Sequence, residues 1–245
     1  YDLNVIFQKF VIEESKFIGS SNSDKDGGGS GLWISNARLD DNVYRTTIDF
    51  INCSFINNTS PFSGGAYGIG SSNSVKPTAL QFIGCDFYGN KCNGGSDGGG
   101  AIWLRTSAPC LVQKSRFENN KSASDSKSDG GAIFVSFTSS LFQLDLIDST
   151  FINNSTPHAN SAGHAIFATS LNGPILVSGC NFTDNGYDVT QPKAIITTQS
   201  QLLIENSSFA FTNKDYSYSR ALYVAASSTL IIHDTDFSNF SFHGK

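Results

Sequence analysis

Nine Asn-x-Ser/Thr triplets are the most frequent chemistry-bearing feature of the sequence, at Asn52, Asn57, Asn58, Asn120, Asn153, Asn154, Asn181, Asn206 and Asn239. In a secretory compartment each is an acceptor for an N-linked glycan, while in a chain rich in Ser and Asn the same triplets also arise from composition. The five cysteines, Cys53, Cys85, Cys92, Cys110 and Cys180, are odd in number and form no C-x-x-C pair, so zinc and dithiol chemistry are unsupported. Acidic, Gly-rich stretches recur at Asp24-Lys25-Asp26-Gly27, Ser96-Asp97-Gly98 and Asp125 to Gly130. Asp97 and Asp129 stand at similar points of successive segments, where converging carboxylates would suit Ca²⁺. Their spacing matches neither an EF-hand loop nor a Ca²⁺-binding nonapeptide, and solvated loops account for them without a metal. No metal or other cofactor is expected; covalent glycan is.

Catalytic constellations are harder to find. The four His, at 158, 164, 233 and 243, are scattered, Asp40-Asp41 has no carboxylate partner nearby in sequence, and no nucleophile elbow occurs. Polysaccharide cleavage needs clustered carboxylates, or Ca²⁺ with a basic residue, on one face. The Asp-pair, G-H-G and R-I-K signatures of polygalacturonases are missing, and Gly163-His164-Ala165 reads as a variant of a Gly-Gly-Ala turn. The chain is therefore expected not to be an enzyme, with a glycan-binding or polysaccharide-cleaving protein as the alternative.

These residues are positioned by a repeat. The tetrapeptide F-x-x-N begins at Phe55, Phe87, Phe117, Phe151 and Phe182, with degenerate copies at Phe17, Phe209 and Phe237. The eight Phe are 38, 32, 30, 34, 31, 27 and 28 residues apart, a solenoid-sized period with variable insertions. A second motif keeps the same phase: Gly64-Gly65-Ala66, Gly99-Gly100-Ala101-Ile102, Gly130-Gly131-Ala132-Ile133 and Gly163-His164-Ala165-Ile166, then more weakly Ala194-Ile195 and Ala221-Leu222.

Apolar residues seven and five before each Phe alternate with polar ones, for example Leu80 and Phe82 before Phe87, which is the period of a strand. Two before each Phe the residue is small: Ser15, Cys53, Cys85, Ser115, Ser149, Cys180, Ser207 and Thr235. The segment after Gly-Gly-Ala supplies another short strand, giving about three strands per repeat and no helix-length pattern. Such repeats bury a face only by coiling so that each strand pairs with its equivalent in the next turn. The expected fold is all-β, a right-handed parallel β-helix of about eight rungs, over 1–245 as a single domain. At the usual strand spacing the rod is on the order of 40 Å long.

Rung register sorts the candidates. The motif Asn, including Asn58, Asn120 and Asn154, turns inward at a bend and bonds neighbouring rungs, so it cannot carry glycan. Asn52, Asn57, Asn153, Asn181, Asn206 and Asn239 are expected to face solvent and to be modified. Cys53, Cys85 and Cys180 belong to the small inward column as reduced, buried thiols, whereas Cys92 falls in a loop and is the candidate for a disulfide, to Cys110 or to another chain. The column Trp33, Trp103, Phe134, Phe167, Ile196 and Tyr223 lies two residues beyond the inward Ala and is expected to share its face and stack in the interior, rather than form an outer strip for sugars.

The paired G-G-A-[I/L/V] and F-x-x-N tetrapeptides resemble those of the chlamydial polymorphic outer-membrane proteins across nearly the whole chain. That resemblance implies a right-handed β-helix passenger of the pectin-lyase-like kind, displayed at a surface and used in adhesion. No membrane β-barrel follows the repeats, and the abundant sequons suit a eukaryotic secretory route.

A net charge of −5 leaves no surplus for gripping phosphate backbones, so nucleic acid is not an expected partner. No apolar run is long enough to span a membrane as a helix, and 20 Phe exclude a disordered chain. Without Met, Tyr1 reads as a processed end or the edge of a longer protein. The expectation is a secreted or cell-surface, non-catalytic structural segment of a coat, adhesin or fibre. Its partners would be copies of itself or flanking domains met end to end, and other surface or matrix proteins and glycans.

Overall fold

The computed structural model describes residues 8–21, 30–35, 46–70, 79–94, 98–105, 109–123, 129–136, 143–156, 163–169, 173–186, 193–197, 200–212, 220–225 and 228–239. Their strands stack into long parallel sheets. The first sheet has eight strands: Gln8–Glu13, Thr46–Ile51, Ala79–Ile83, Cys110–Gln113, Leu144–Ile147, Pro174–Ser178, Gln201–Glu205 and Thr229–His233. The second, the Phe sheet, also has eight, of three residues each, from Lys16–Ile18 to Asp236–Ser238. A third, the Gly-Ala sheet, has seven, from Leu32–Ser35 to Arg220–Val224. Every strand pairs in parallel with its equivalent one repeat away, which makes the fold a parallel β-helix.

The register follows the repeat. All eight Phe anchors pair in one column, from Phe17 with Phe55 to Phe209 with Phe237. Neighbouring rings stack at 4.5–5.2 Å with interplanar angles of 2–9°. A rung spacing near 4.8 Å puts identical aromatic rings at offset-stacking distance, so each Phe covers the next. Phe50 and Phe82 form a second stack at 5.0 Å, and Tyr67 meets both rings edge-on.

Two features depart from expectation. The middle rungs carry a fourth strand, Thr59–Ser60, Lys91–Cys92 and Lys121–Ser122, which forms a short sheet of its own. Cys92 is therefore not in a loop: it is fully buried, its Sγ lies 3.2 Å from Ser122 Oγ, and all five thiols are free. Two-residue strands leave too little alternation to be recognised from sequence.

The aromatic column is the second departure. Ile102 and Leu104 face the core, as do Ile133 and Val135, so Trp103 and Phe134 between them point to the opposite side of the Gly-Ala sheet. Ala101 and Ile102 both face inward because the chain bends between them, and one carbonyl, Ala132 O, accepts from both N–H groups. The bend breaks the alternation, so the aromatics two residues beyond the inward Ala face outward and not into the core. Trp103 and Phe134 are still covered, Phe167 is half-buried and Tyr223 is 43% exposed. The side chains of Trp33 and Ile196 lie outside the described residues.

Candidate functional site

Two corners flank the strands of the Phe sheet, except that the Phe209 strand has only the first. Three residues before each Phe, the backbone is left-handed in all eight rungs, at Glu14, Asn52, Gly84, Lys114, Asp148, Gly179, Asn206 and Asp234. Two residues after the Phe it is left-handed again at Gly19, Asn57, Gly89, Asn119, Asn153, Asp184 and Asn239. A single left-handed residue turns the chain from one sheet into the next without a loop, and Gly, Asn and Asp tolerate that conformation best. Five of the six sequon asparagines expected to be modified sit at these corners, at φ 52° (Asn52), 53° (Asn57), 52° (Asn153), 48° (Asn206) and 60° (Asn239). Asn52, Asn57, Asn206 and Asn239 are exposed and Asn153 is half-buried. Asn181 lies on the outer side of the Phe sheet, exposed, its Oδ1 accepting from Ser208 Oγ at 2.7 Å.

The motif asparagines one residue beyond the second corner are placed oppositely. Asn58, Asn90, Asn120, Asn154 and Asn185 are 0–1% exposed. Each Nδ2 from Asn58 to Asn154 donates to the Phe carbonyl of the preceding rung at 2.8–2.9 Å and to the Asn Oδ1 of the following rung at 2.9–3.0 Å. Each of those Oδ1 atoms also accepts from the backbone N–H of the preceding Asn. The ladder satisfies buried amides on both edges and leaves Nδ2 no room for a sugar.

The small column two before each Phe forms a second ladder. Cys53, Cys85, Ser115 and Cys180 point Sγ or Oγ at the carbonyl five residues before the Phe of the preceding rung, at 3.2–3.3 Å. Burial disfavours the thiolate, and pushes Cys85 and Cys110 up to about 12 and Cys92 and Cys180 up to about 11. At neutral pH these thiols are protonated and are not nucleophiles.

Among the described residues, no group of three or more His, Cys, Asp and Glu is placed to hold a metal ion. Asp97 and the stretches at 24–27 and 125–128 lie outside the described residues, as do Asp40, Asp41, His158 and His243; Asp129 is described and half-buried. His164 is buried, with Nδ1 3.0 Å from Thr156 Oγ1, and His233 is exposed at the far end of the first sheet. Neither His164 nor His233 belongs to such a group of three or more among the described residues. The corners do carry a sequence signal: Asn, Asp or Gly fills six of the eight positions three before the Phe, the exceptions being Glu14 and Lys114. Among the described residues, no helix is long and apolar enough to cross a membrane.

Comparison with known proteins gives one family. The family described as right handed beta helix region matches residues 10–209, which spans the strands from the first rung to the Phe of the seventh. No curated protein and no solved structure matches the chain significantly. With its parallel sheets in one-repeat register and a match covering most of its length, the chain belongs to the right-handed β-helix family.

Proposed function

We propose that this chain is a non-catalytic structural segment of an extracellular or cell-surface assembly, a coat, adhesin or fibre, carrying N-glycans along one side of its rod. The observation that carries this reading is the division of the asparagines. Those in the ladder are consumed by structural bonds, and the sequon asparagines at the corners and at Asn181 are turned outward. Glycans at Asn52, Asn57, Asn153, Asn181, Asn206 and Asn239 would all flank or lie on the outer side of the Phe sheet. The motif Asn and the small Cys and Ser column that remain inside are absorbed into ladders that hold rungs together.

The outermost rungs support contact with further protein. Phe10 at one end and Leu230, Ile232 and Phe237 at the other are 37–55% exposed, whereas their equivalents between them are buried in the same columns. Flanking domains, or copies of the same segment, would cover these apolar rungs end to end.

Electron imaging of the native, unproteolysed material at a resolution that resolves rungs tests the proposal. Rods built into a continuous assembly, with sugar density at Asn52, Asn57 or Asn206, are the expected result. Isolated rods without glycan that degrade acidic polysaccharides would overturn it.

A further inference from the structure

In the Gly-Ala turn the second Gly forms a column that changes character along the rod. Residues two before the first core position of each strand are Gly65, Gly100, Gly131, His164, Lys193 and Arg220. At the first three a Cβ would run into backbone: Gly65 into Gly100 O and Lys91 N, Gly100 into Gly131 O and Lys121 N, Gly131 into His164 O and Ser155 N. The short sheet supplies half of that obstruction, and after the bridge of Lys121 with Ser155 no further strand of it occurs among the described residues. Side chains therefore become possible, and all three that follow are nitrogen bases. His164 is drawn inside, but Lys193 is half-buried, Arg220 is exposed, and the two pair directly in adjacent strands.

Beside this column runs the outward aromatic one. Lys193 Nζ lies 5.9 Å from the centroid of the Tyr223 ring, which is 43% exposed, and Phe167 is half-buried one rung further in than Lys193. Stacking two cations in neighbouring rungs is unfavourable by itself. Burial and then Arg220 hold the Lys193 ammonium below its usual range, and the opposing pull of Asp129 is smaller than either.

We propose that Lys193, Arg220 and Tyr223 form a binding site for a sulfated saccharide. A guanidinium takes two oxygens of an oxyanion side by side, which uses up a carboxylate but leaves a sulfate ester a third oxygen for the ammonium one rung away. The exposed ring offers a flat apolar surface to the C–H face of the sugar that carries the ester. The site goes beyond the structural role and does not depend on it.

Titration calorimetry with a heparin-derived hexasaccharide at low salt tests the assignment. Binding should weaken about tenfold or more in Arg220→Ala and in Lys193→Ala, and less in Tyr223→Ala, since charge-assisted hydrogen bonds outweigh a stacking contact. Lys16→Ala, an exposed lysine on the Phe sheet, should bind like the unaltered chain. The three side chains lie at least partly at the surface, and unchanged thermal unfolding of each variant confirms that binding alone was altered. No binding by the unaltered chain, or equal losses in Lys16→Ala and Arg220→Ala, would overturn the site. A hexamer of galacturonate that binds as tightly would overturn the assignment to sulfate.

Discussion

Replacing Asn120 with Ala removes the middle of the asparagine ladder. Its Nδ2 donates to Phe87 O at 2.8 Å and to Asn154 Oδ1 at 3.0 Å, and its Oδ1 accepts from Asn90 N at 3.0 Å and Asn90 Nδ2 at 2.9 Å. After truncation Asn90 Nδ2 still reaches Phe55 O, and Asn154 Oδ1 still accepts from Asn120 N. The Asn90 N–H loses this partner in a site with no solvent exposure. One orphaned donor costs about 1–3 kcal/mol, and the weakened amide pairs and the space left behind bring the loss to about 3–5 kcal/mol. The adjacent Asn119→Ala is the control, since it keeps the ladder and changes only an exposed corner at φ 55°, for about 1 kcal/mol. Urea unfolding followed by far-ultraviolet circular dichroism measures both, with the slope checked because stacked repeats can unfold in parts. If the two variants lie within about 1 kcal/mol of each other, the ladder does not hold the rungs as described.

Four further outcomes follow from the interior. The Tyr67 ring meets Phe50 and Phe82 edge-on and its buried hydroxyl has no hydrogen-bond partner among the described residues, so Tyr67→Phe should raise stability by about 1 kcal/mol, and a lower urea midpoint would contradict that. The native thiols should resist a thiol reagent at pH 8 and react only on unfolding. Because folding raises Cys85 and Cys110 to about 12 and Cys92 and Cys180 to about 11, their contribution is complete below the ordinary thiol range and is lost as pH climbs through those values, so stability should fall on the alkaline side above about pH 9. Gly131→Ala puts a methyl against His164 O and Ser155 N, and should cost about 3 kcal/mol, read as a lowered unfolding midpoint; an unchanged midpoint would show that the turn has slack.

What the sequence made legible is what repeats with a side-chain identity. The Phe column, the small column and the motif Asn each recur at a fixed offset, and stacking one rung on the next converts each offset into a ladder. Backbone conformation was less visible. The corner three before the Phe is Lys114 in one rung and Glu14 in another, and these take the same left-handed turn as Gly84 because the sheets on either side impose it. The strand at Lys91–Cys92 is two residues long, below the length at which alternation can be read, so the burial of Cys92 had no sequence signature. The aromatics after Gly-Gly-Ala were placed inside because alternation was counted across Ala101 and Ile102, where the chain bends and alternation stops.

The overlapping sequons give the sharpest test of the register, since each contains its own control. Asn57-Asn58-Thr59-Ser60 and Asn153-Asn154-Ser155-Thr156 each offer two adjacent acceptors in the same local sequence. Asn57 is exposed and Asn153 half-buried at left-handed corners, while Asn58 and Asn154 are 0% exposed with both amide atoms bonded across rungs. A glycan on Asn58 Nδ2 would occupy the position from which it donates to Phe17 O and Asn90 Oδ1, so a chain modified there could not close its ladder. The folded chain thus has room for a sugar on only one residue of each pair, even where composition and sequon are equal. Glycopeptide mass spectrometry on folded, secreted protein should find sugar at Asn57 and Asn153 and none at Asn58 and Asn154. The reverse pattern would mean that the asparagines of the two columns have exchanged faces.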